Sequence, residues 1–344
     1  MSIKENIFGT TPEGKEVKIF TLEGDNIEAR VITLGGILQK LAVPDQKGQY
    51  DDIVLGFDSL QGYLEDKSYL GATVGRCANR INQGILNIDG NKIQLTQNAG
   101  EDHLHGGFKG FNKVVWEAEK INNDDSIGVK LDYLSEDGEE NYPGDLKVTV
   151  TYLLKNNKLK IFFEAETDKK TYVNMTNHSY FNLTGKNRDI LDHKLQISGD
   201  QYLPLDNNLI PTGEKKAVQD TPMDFTTPHK IGERIDDLEG GYDFNWILNN
   251  KDNQLEYAAK LFDPDTGRTM KLYTTKPGLQ FYTGNQLGFK GKENKFYKDH
   301  YGLSLEPQYY PDAPNQNNFP IYYLDPNDKY SHQIVYEFDT SDEI

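Results

Sequence analysis

The sequence predicts an all-β protein, a large antiparallel β-sandwich, on three observations. Apolar residues recur with a period of two rather than 3.6 along most of the chain. The runs so marked are short and divided by Gly, Asn, Asp or Pro. Helical spacing is confined to brief patches. Alternating strands packed this densely bury their apolar sides only when sheets stack face to face. The 344 residues suffice for one large β domain or two ordinary ones. No low-complexity linker, internal repeat or boundary marks a division, so one domain over 1–344 is expected.

Taken in order, Val17, Ile19 and Thr21 alternate, and Ala29-Arg30-Val31-Ile32-Thr33 runs into Gly35-Gly36. Ile85–Ile88 and Lys92–Leu95 flank Asp89-Gly90-Asn91, the pattern of a hairpin with a tight glycine turn. Val129, Leu131 and Tyr133 mark another strand. Leu146, Val148, Val150 and Tyr152, then Leu159, Ile161, Phe163 and Ala165, form a second hairpin across Asn156-Asn157. Later strands are expected over Lys194–Ile197, Tyr257–Phe262, Met270–Thr275, Leu279–Thr283, Leu303–Glu306 and Gln333–Phe338. Helical turns are expected only over Ser59–Glu65 and near Ile231–Ile235.

Bulk composition narrows the partners. Fifty-four acidic against 37 basic residues give a net charge of −17, which repels phosphate backbones and anionic membrane surfaces. The same field mildly disfavours phosphorylated substrates and tolerates neutral ones. Cys77 is the sole cysteine, leaving no internal disulfide and no thiolate metal cluster. The opening Met1-Ser2-Ile3-Lys4-Glu5-Asn6 lacks the apolar core of a secretory signal, and no run reaches membrane-spanning length. A soluble cytoplasmic protein is expected; its oligomeric state leaves no mark in the sequence.

The most informative stretch is Asn174-Met175-Thr176-Asn177-His178-Ser179-Tyr180-Phe181-Asn182-Leu183. Its histidine stands among amides, a hydroxyl and rings, the groups a pocket for a polyhydroxylated ligand needs. A buried strand end with a hydrogen-bonded histidine is the alternative. Four further stretches are polar and glycine-punctuated. In Gly71–Arg80, Arg76 and Arg80 fit a solvated edge, while Asn79-Arg80 also fits a fork of donors for hydroxyl oxygens. In His103-Leu104-His105-Gly106-Gly107 an extended chain puts both histidines on one face. A metal is one reading, weakened because only Glu101 and Asp102 stand near as further ligands. The glycines favour close ligand approach. Gly240-Gly241-Tyr242-Asp243 offers a carboxylate among rings, or an Asx-type turn. Glu306 ends an apolar strand; it either faces water or is buried with a raised pKa, fit to act as a base.

As a set these motifs resemble the aldose 1-epimerase (galactose mutarotase) family. Asn174–Leu183 is similar to its signature, and the likeness runs in order through Gly71–Ile81, His103–Gly107, Tyr142-Pro143-Gly144, Gly241–Asp243, Leu279–Asn285 and Leu305–Asn315. The resemblance implies a galactose mutarotase-like supersandwich that interconverts the α and β anomers of free hexoses such as galactose and glucose. It implies His178 as the acid that protonates the ring oxygen and Glu306 as the base at the anomeric hydroxyl. His105 would assist, and Asn79, Arg80, Asp243 and Gln280 would hold the other hydroxyls. No metal or other cofactor is implied, because two proton transfers suffice. The paired groups predict a bell-shaped pH profile, its base limb from Glu306 and its acid limb from His178. Tyr180, Phe181 and Trp246 are candidate walls. Phe244 and Tyr309 depart from the family, which commonly has histidine at both places; the expected consequence is a changed pocket wall. Rival readings are a sugar-binding module, an epimerase of sugar phosphates with a basic pocket mouth, and a glycoside hydrolase using Glu306 and Asp243.

Overall fold

The structure, a computed structural model, describes residues 1–250 and 253–342. Strands dominate it, and their pairings are antiparallel. A nine-stranded sheet runs in the order Glu117–Asn123, Ser126–Ser135, Leu146–Lys155, Lys158–Thr167, Tyr330–Thr340, Arg268–Thr274, Glu256–Phe262, Lys194–Ile197 and His229–Lys230. A six-stranded sheet runs Tyr180–Phe181, Leu303–Gln308, Gly278–Tyr282, Asp243–Ile247, Gln201–Leu203 and Lys216–Ala217. A five-stranded sheet is built from the amino-terminal strands Ser2–Thr10 to Tyr50–Asp52.

Period-two alternation explains how the sheets stack. Val148, Val150, Tyr152, Ile161, Phe163, Ile334 and Tyr336 of the nine-stranded sheet join one apolar cluster. Trp246, Leu279, Phe281, Leu303 and Leu305 of the six-stranded sheet belong to the same cluster. Each such side chain contributes about 1.5–3 kcal/mol when removed from water. Leu303–Gln308 is buried on both faces, one against this cluster and one beneath the cavity described below.

The expected all-β class and both hairpins are present. Asp89 and Gly90 have φ of 49° and 81°, the paired positive angles of the two-residue turn that matches strand twist. Lys155 pairs with Lys158 across Asn156-Asn157. The helix spans Leu60–Glu65, with Ser59 Oγ accepting from Gly62 N at its start, and the expected turn near Ile231–Ile235 is two 3-10 turns. Sequence periodicity overlooked Ser2–Thr10, Ile37–Pro44 and Glu117–Asn123. The first is mostly exposed, so no apolar alternation marks it.

Arg76, which fits a solvated edge by sequence, is instead buried at 2% exposure. Its Nε donates to Ser135 Oγ, and its other nitrogens donate to the carbonyls of Ser135, Glu136 and Pro143. It therefore ties the Gly71–Arg80 segment to the end of Ser126–Ser135. Arg76→Met strands several buried acceptors at once and is expected to cost about 3–5 kcal/mol. A lowered urea midpoint at unchanged slope is the expected reading; a native midpoint would refute the brace.

Candidate active site

Strand register builds the site. Asp243 pairs with Tyr282, Asn245 with Gln280, and Gln280 with Glu306. Leu279, Phe281, Leu303 and Leu305 point into the core, so the intervening Gln280, Tyr282, Ser304 and Glu306 face the other way. The Asn174–Leu183 stretch joins two ribbons: His178 ends Thr176–His178, paired with Ala72–Val74, and Tyr180 pairs with Ser304. That handover brings His178 Nε2 to 3.5 Å from Glu306 Oε1.

All seven residues named from the sequence (His178, Glu306, His105, Asn79, Arg80, Asp243 and Gln280) line one cavity of about 590 Å³. Gln280 Nε2 donates to Asp243 Oδ1 at 2.7 Å, fixing the carboxylate on its neighbouring strand. His105 and Asn79 hold each other: His105 N donates to Asn79 O, and Asn79 N donates to His105 Nδ1 at 3.2 Å. Because that N–H must donate, neutral His105 carries its proton on Nε2, free to donate to a ligand oxygen. His105 and Asn79 lie in the left-handed region, with φ of 50° and 64°. The following Gly106 is obligatory: a Cβ there would lie 1.8 Å from Gly75 O. The Arg80 guanidinium forms no hydrogen bond or ion pair among the described residues and lines the same cavity.

Burial governs the electrostatics. It pushes His178 down to about 4. It pushes Glu306 well above the usual carboxylate range, helped by nearby Asp243. His105 is held well below its ordinary value by burial first, then by His178 and Arg80. Desolvation also raises Asp243, opposed by the Gln280 bond and Arg80. An ion pair is the reading that distance alone allows for His178 and Glu306. Yet 3.5 Å is long for a charge-assisted bond, and burial penalises both charged forms. We therefore take the resting pair as neutral imidazole facing carboxylic acid, with one proton shared between two groups. This reverses the limbs expected from sequence. The second proton is taken up near the low value of His178, and the last is lost near the raised value of Glu306.

Several expected ligand groups prove to be scaffold. Asn177 Nδ2 donates to Gly71 O and Tyr152 Oη, Ser179 Oγ to Asn177 Oδ1, and Asn182 Nδ2 to Arg188 O and Tyr301 O. Of the signature stretch, only His178 and Tyr180 reach the cavity. Phe181 packs on Tyr336, and Trp246 lies fully buried with Nε1 donating to Met223 O, so neither is a wall. The two histidines of His103-Leu104-His105 do not face one way. The positive φ at His105 turns the chain, and His103 bonds Tyr142 Oη and Thr96 O. Among the described residues no group of three or more His, Cys, Asp or Glu is arranged to hold a metal. Phe244 is a wall, edge-on to Tyr202, whereas Tyr309 does not line the cavity and its ring lies against the Lys276 ammonium.

Sequence reasoning missed Tyr69 and Ser304. The Tyr69 ring centroid is 4.6 Å from that of His105 and 5.9 Å from that of His178. Ser304 Oγ is 3.3 Å from His178 Nδ1 and orients the ring. Period two from Glu306 was the available signal for Ser304; nothing in sequence pointed to Tyr69. The mouth mixes Lys67 and Arg80 with Asp206 and Glu239, not the basic rim a sugar phosphate calls for.

Comparison with known proteins accords with this geometry. The family model described as aldose 1-epimerase matches residues 18–337. Galactose mutarotase from Bos taurus is 41% identical over 98% of this chain and 99% of its own length. Aldose 1-epimerase from Escherichia coli (strain K12) is 37% identical over 95% of this chain and 96% of its own. Among solved structures, galactose 1-epimerase from Lactobacillus acidophilus NCFM superposes with a TM-score of 0.87 at 29% identity, covering 99% of both chains. An aldose epimerase homologue from C. elegans gives 0.87 at 31%, covering 94% of this chain and 98% of its own. Matched along nearly its whole length by model, sequence and structure, the chain belongs to the aldose 1-epimerase family.

Proposed function

We propose that this aldose 1-epimerase interconverts the anomers of free hexoses such as galactose and glucose with Glu306 as base and His178 as acid. The observation that carries the assignment is the 3.5 Å approach of His178 Nε2 to Glu306 Oε1 inside one cavity. Opening the hemiacetal removes the proton from O1 and adds one at O5. Both oxygens are bonded to C1, so two groups this close straddle them. Rotation about C1–C2 and reclosure on the other face run the same transfers in reverse.

The neutral resting pair holds the one proton the cycle needs. Moving it from Glu306 to His178 gives the carboxylate and imidazolium that open the ring, with no proton drawn from solvent. Each group contributes about a hundred- to ten-thousand-fold in rate. Nε2–H of His105 stabilises negative charge developing on the same oxygens. Asn79, Arg80, Asp243 and Gln280 hold the remaining hydroxyls, with Tyr69 and Tyr180 covering the apolar faces of the sugar. Proton transfer alone completes the reaction, so the reading calls for no metal or nucleotide. It also takes 1–344 as one domain acting in the cytoplasm on a small-molecule sugar, without nucleic-acid or membrane partners. The net charge of −17 supports that, and no helix among the described residues is long and apolar enough to cross a membrane.

Glu306→Gln and His178→Asn are each expected to lower kcat by at least about a hundredfold without unfolding the chain. Polarimetry on freshly dissolved α-D-galactose or α-D-glucose measures it, and near-native rates in both variants would defeat the assignment. The pH profile of kcat/KM is expected to be a bell. Its acid side rises through about 4, where the pair sheds a second proton first carried by His178. Its alkaline side falls as the last proton leaves Glu306 at its raised value. In His178→Asn only the base titrates, so residual activity should climb with pH where the native enzyme declines. A residual profile that falls alongside the native one would contradict this ordering.

A further inference from the structure

The sheet face that carries Glu306 also holds amide groups the chemistry above leaves unused. Asn245, Gln280 and Glu306 stand side by side across three strands, and Gln308 follows Glu306 on the same face, opposite Gly278. Asn245 is 1% exposed and Gln308 0%, and neither lines the cavity. Among the described residues, both polar atoms of each carboxamide lack a hydrogen-bond partner, as do Gln280 Oε1 and Glu306 Oε2. Folded chains rarely leave such groups unbonded. Here donors and acceptors are mixed: the two carboxamides offer both, while the carboxylate and Gln280 Oε1 accept. Water is the ligand whose chemistry matches, donating to Glu306 Oε2 while accepting from a carboxamide. Gly278 keeps this patch open, since a Cβ there would lie 2.7 Å from Asn245 Oδ1 and 3.0 Å from the Gln308 carbonyl oxygen.

We infer that Asn245 and Gln308 are positioning residues that hold Glu306 Oε2 through bound water, aiming Oε1 at His178 and the sugar. The inference rests on the reading of Glu306 as base. A carboxylate free to rotate about its last bond would present the wrong oxygen for part of the time. One held at Oε2 by water and approached at Oε1 by His178 has a single orientation. Donors behind Oε2 also favour the charged form at the moment the proton moves. They act against burial and against Asp243, the groups that raise Glu306, with Tyr180 and Tyr336 its further titratable neighbours.

The test uses the full chain with Gln308→Met and Asn245→Leu, which remove the amides at similar volume, and Glu306→Gln beside them. Positioning predicts a kcat about tenfold lower or more, the equivalent of one hydrogen bond to a charged group. KM should stay within about twofold and the variants should remain folded well above the assay temperature, because the replacements conserve side-chain volume. A native kcat in both amide variants would overturn the inference, and so would a loss of kcat explained by a fallen Tm. Native turnover in Glu306→Gln would instead strike the reading of the base. In a crystal structure of the native enzyme, an ordered water within hydrogen-bond reach of Glu306 Oε2 and either amide supports the inference. Amides bonded only to each other would overturn it.

Discussion

Everything at the site depends on the register that pairs Tyr180 with Ser304 and Gln280 with Glu306. Side chains alternate along a strand, so a slip of one residue would send Glu306 into the space of Leu305 and lift Leu305 into the cavity. Opposing that slip are the apolar side chains of the same strands, Leu279, Phe281, Leu303 and Leu305, fixed in the core with Trp246. A displaced carboxylate in that core would meet rings and aliphatic groups with no donor for its oxygens. The hydrophobic half of each strand thus decides which face the polar half, Glu306 included, occupies.

Depth then does chemical work that sequence position alone cannot. Glu306 and His178 are 2% and 5% exposed, and the same desolvation that favours core formation pushes each toward its neutral form. Two groups with inverted affinities sharing one proton differ from an ordinary ion pair: the charged form is one short transfer away, in a low-dielectric surrounding, which is what the proposed mechanism uses. Rigid scaffolding keeps that transfer short. Asn177 and Asn182 anchor the signature stretch to Gly71, Tyr152, Arg188 and Tyr301, so His178 has little freedom to drift from Ser304.

Local pattern carried much of this into view. Alternation identified most of the strands of the two large sheets, and the departures from it, His178 in its amide-rich run and Glu306 at the end of an apolar one, marked the two groups proposed to move the proton. What escaped was parity and depth. Phe181 and Trp246 are as aromatic as Tyr180, but Tyr180 faces the cavity while Phe181 sits one residue on, on the opposite face. Asn177 reads like a ligand amide until the Gly71 carbonyl beside it is known. Arg76 and Arg80 look alike in a string of letters; Arg76 meets carbonyls brought from Ser135–Pro143, while Arg80 lines the cavity and its guanidinium meets no partner among the described residues. Tyr69 comes to the histidines from a turn that no periodicity describes.

Phe244 and Tyr309, where the sequence departs from the expected family pattern, separate on the same ground. Phe244 lines the cavity edge-on to Tyr202 and also packs against the core, so the wall there is an apolar ring. Tyr309 shares a backbone exchange with Asn174, its N–H donating to Asn174 Oδ1 and its carbonyl accepting from Nδ2. Its ring centroid lies 3.6 Å from the Lys276 ammonium, and it does not line the cavity. A change of side chain at Tyr309 leaves those backbone bonds in place and alters its contact with Lys276, whereas a change at Phe244 alters the cavity wall. Of the two positions, only Phe244 shares a surface with the cavity that holds Glu306 and His178.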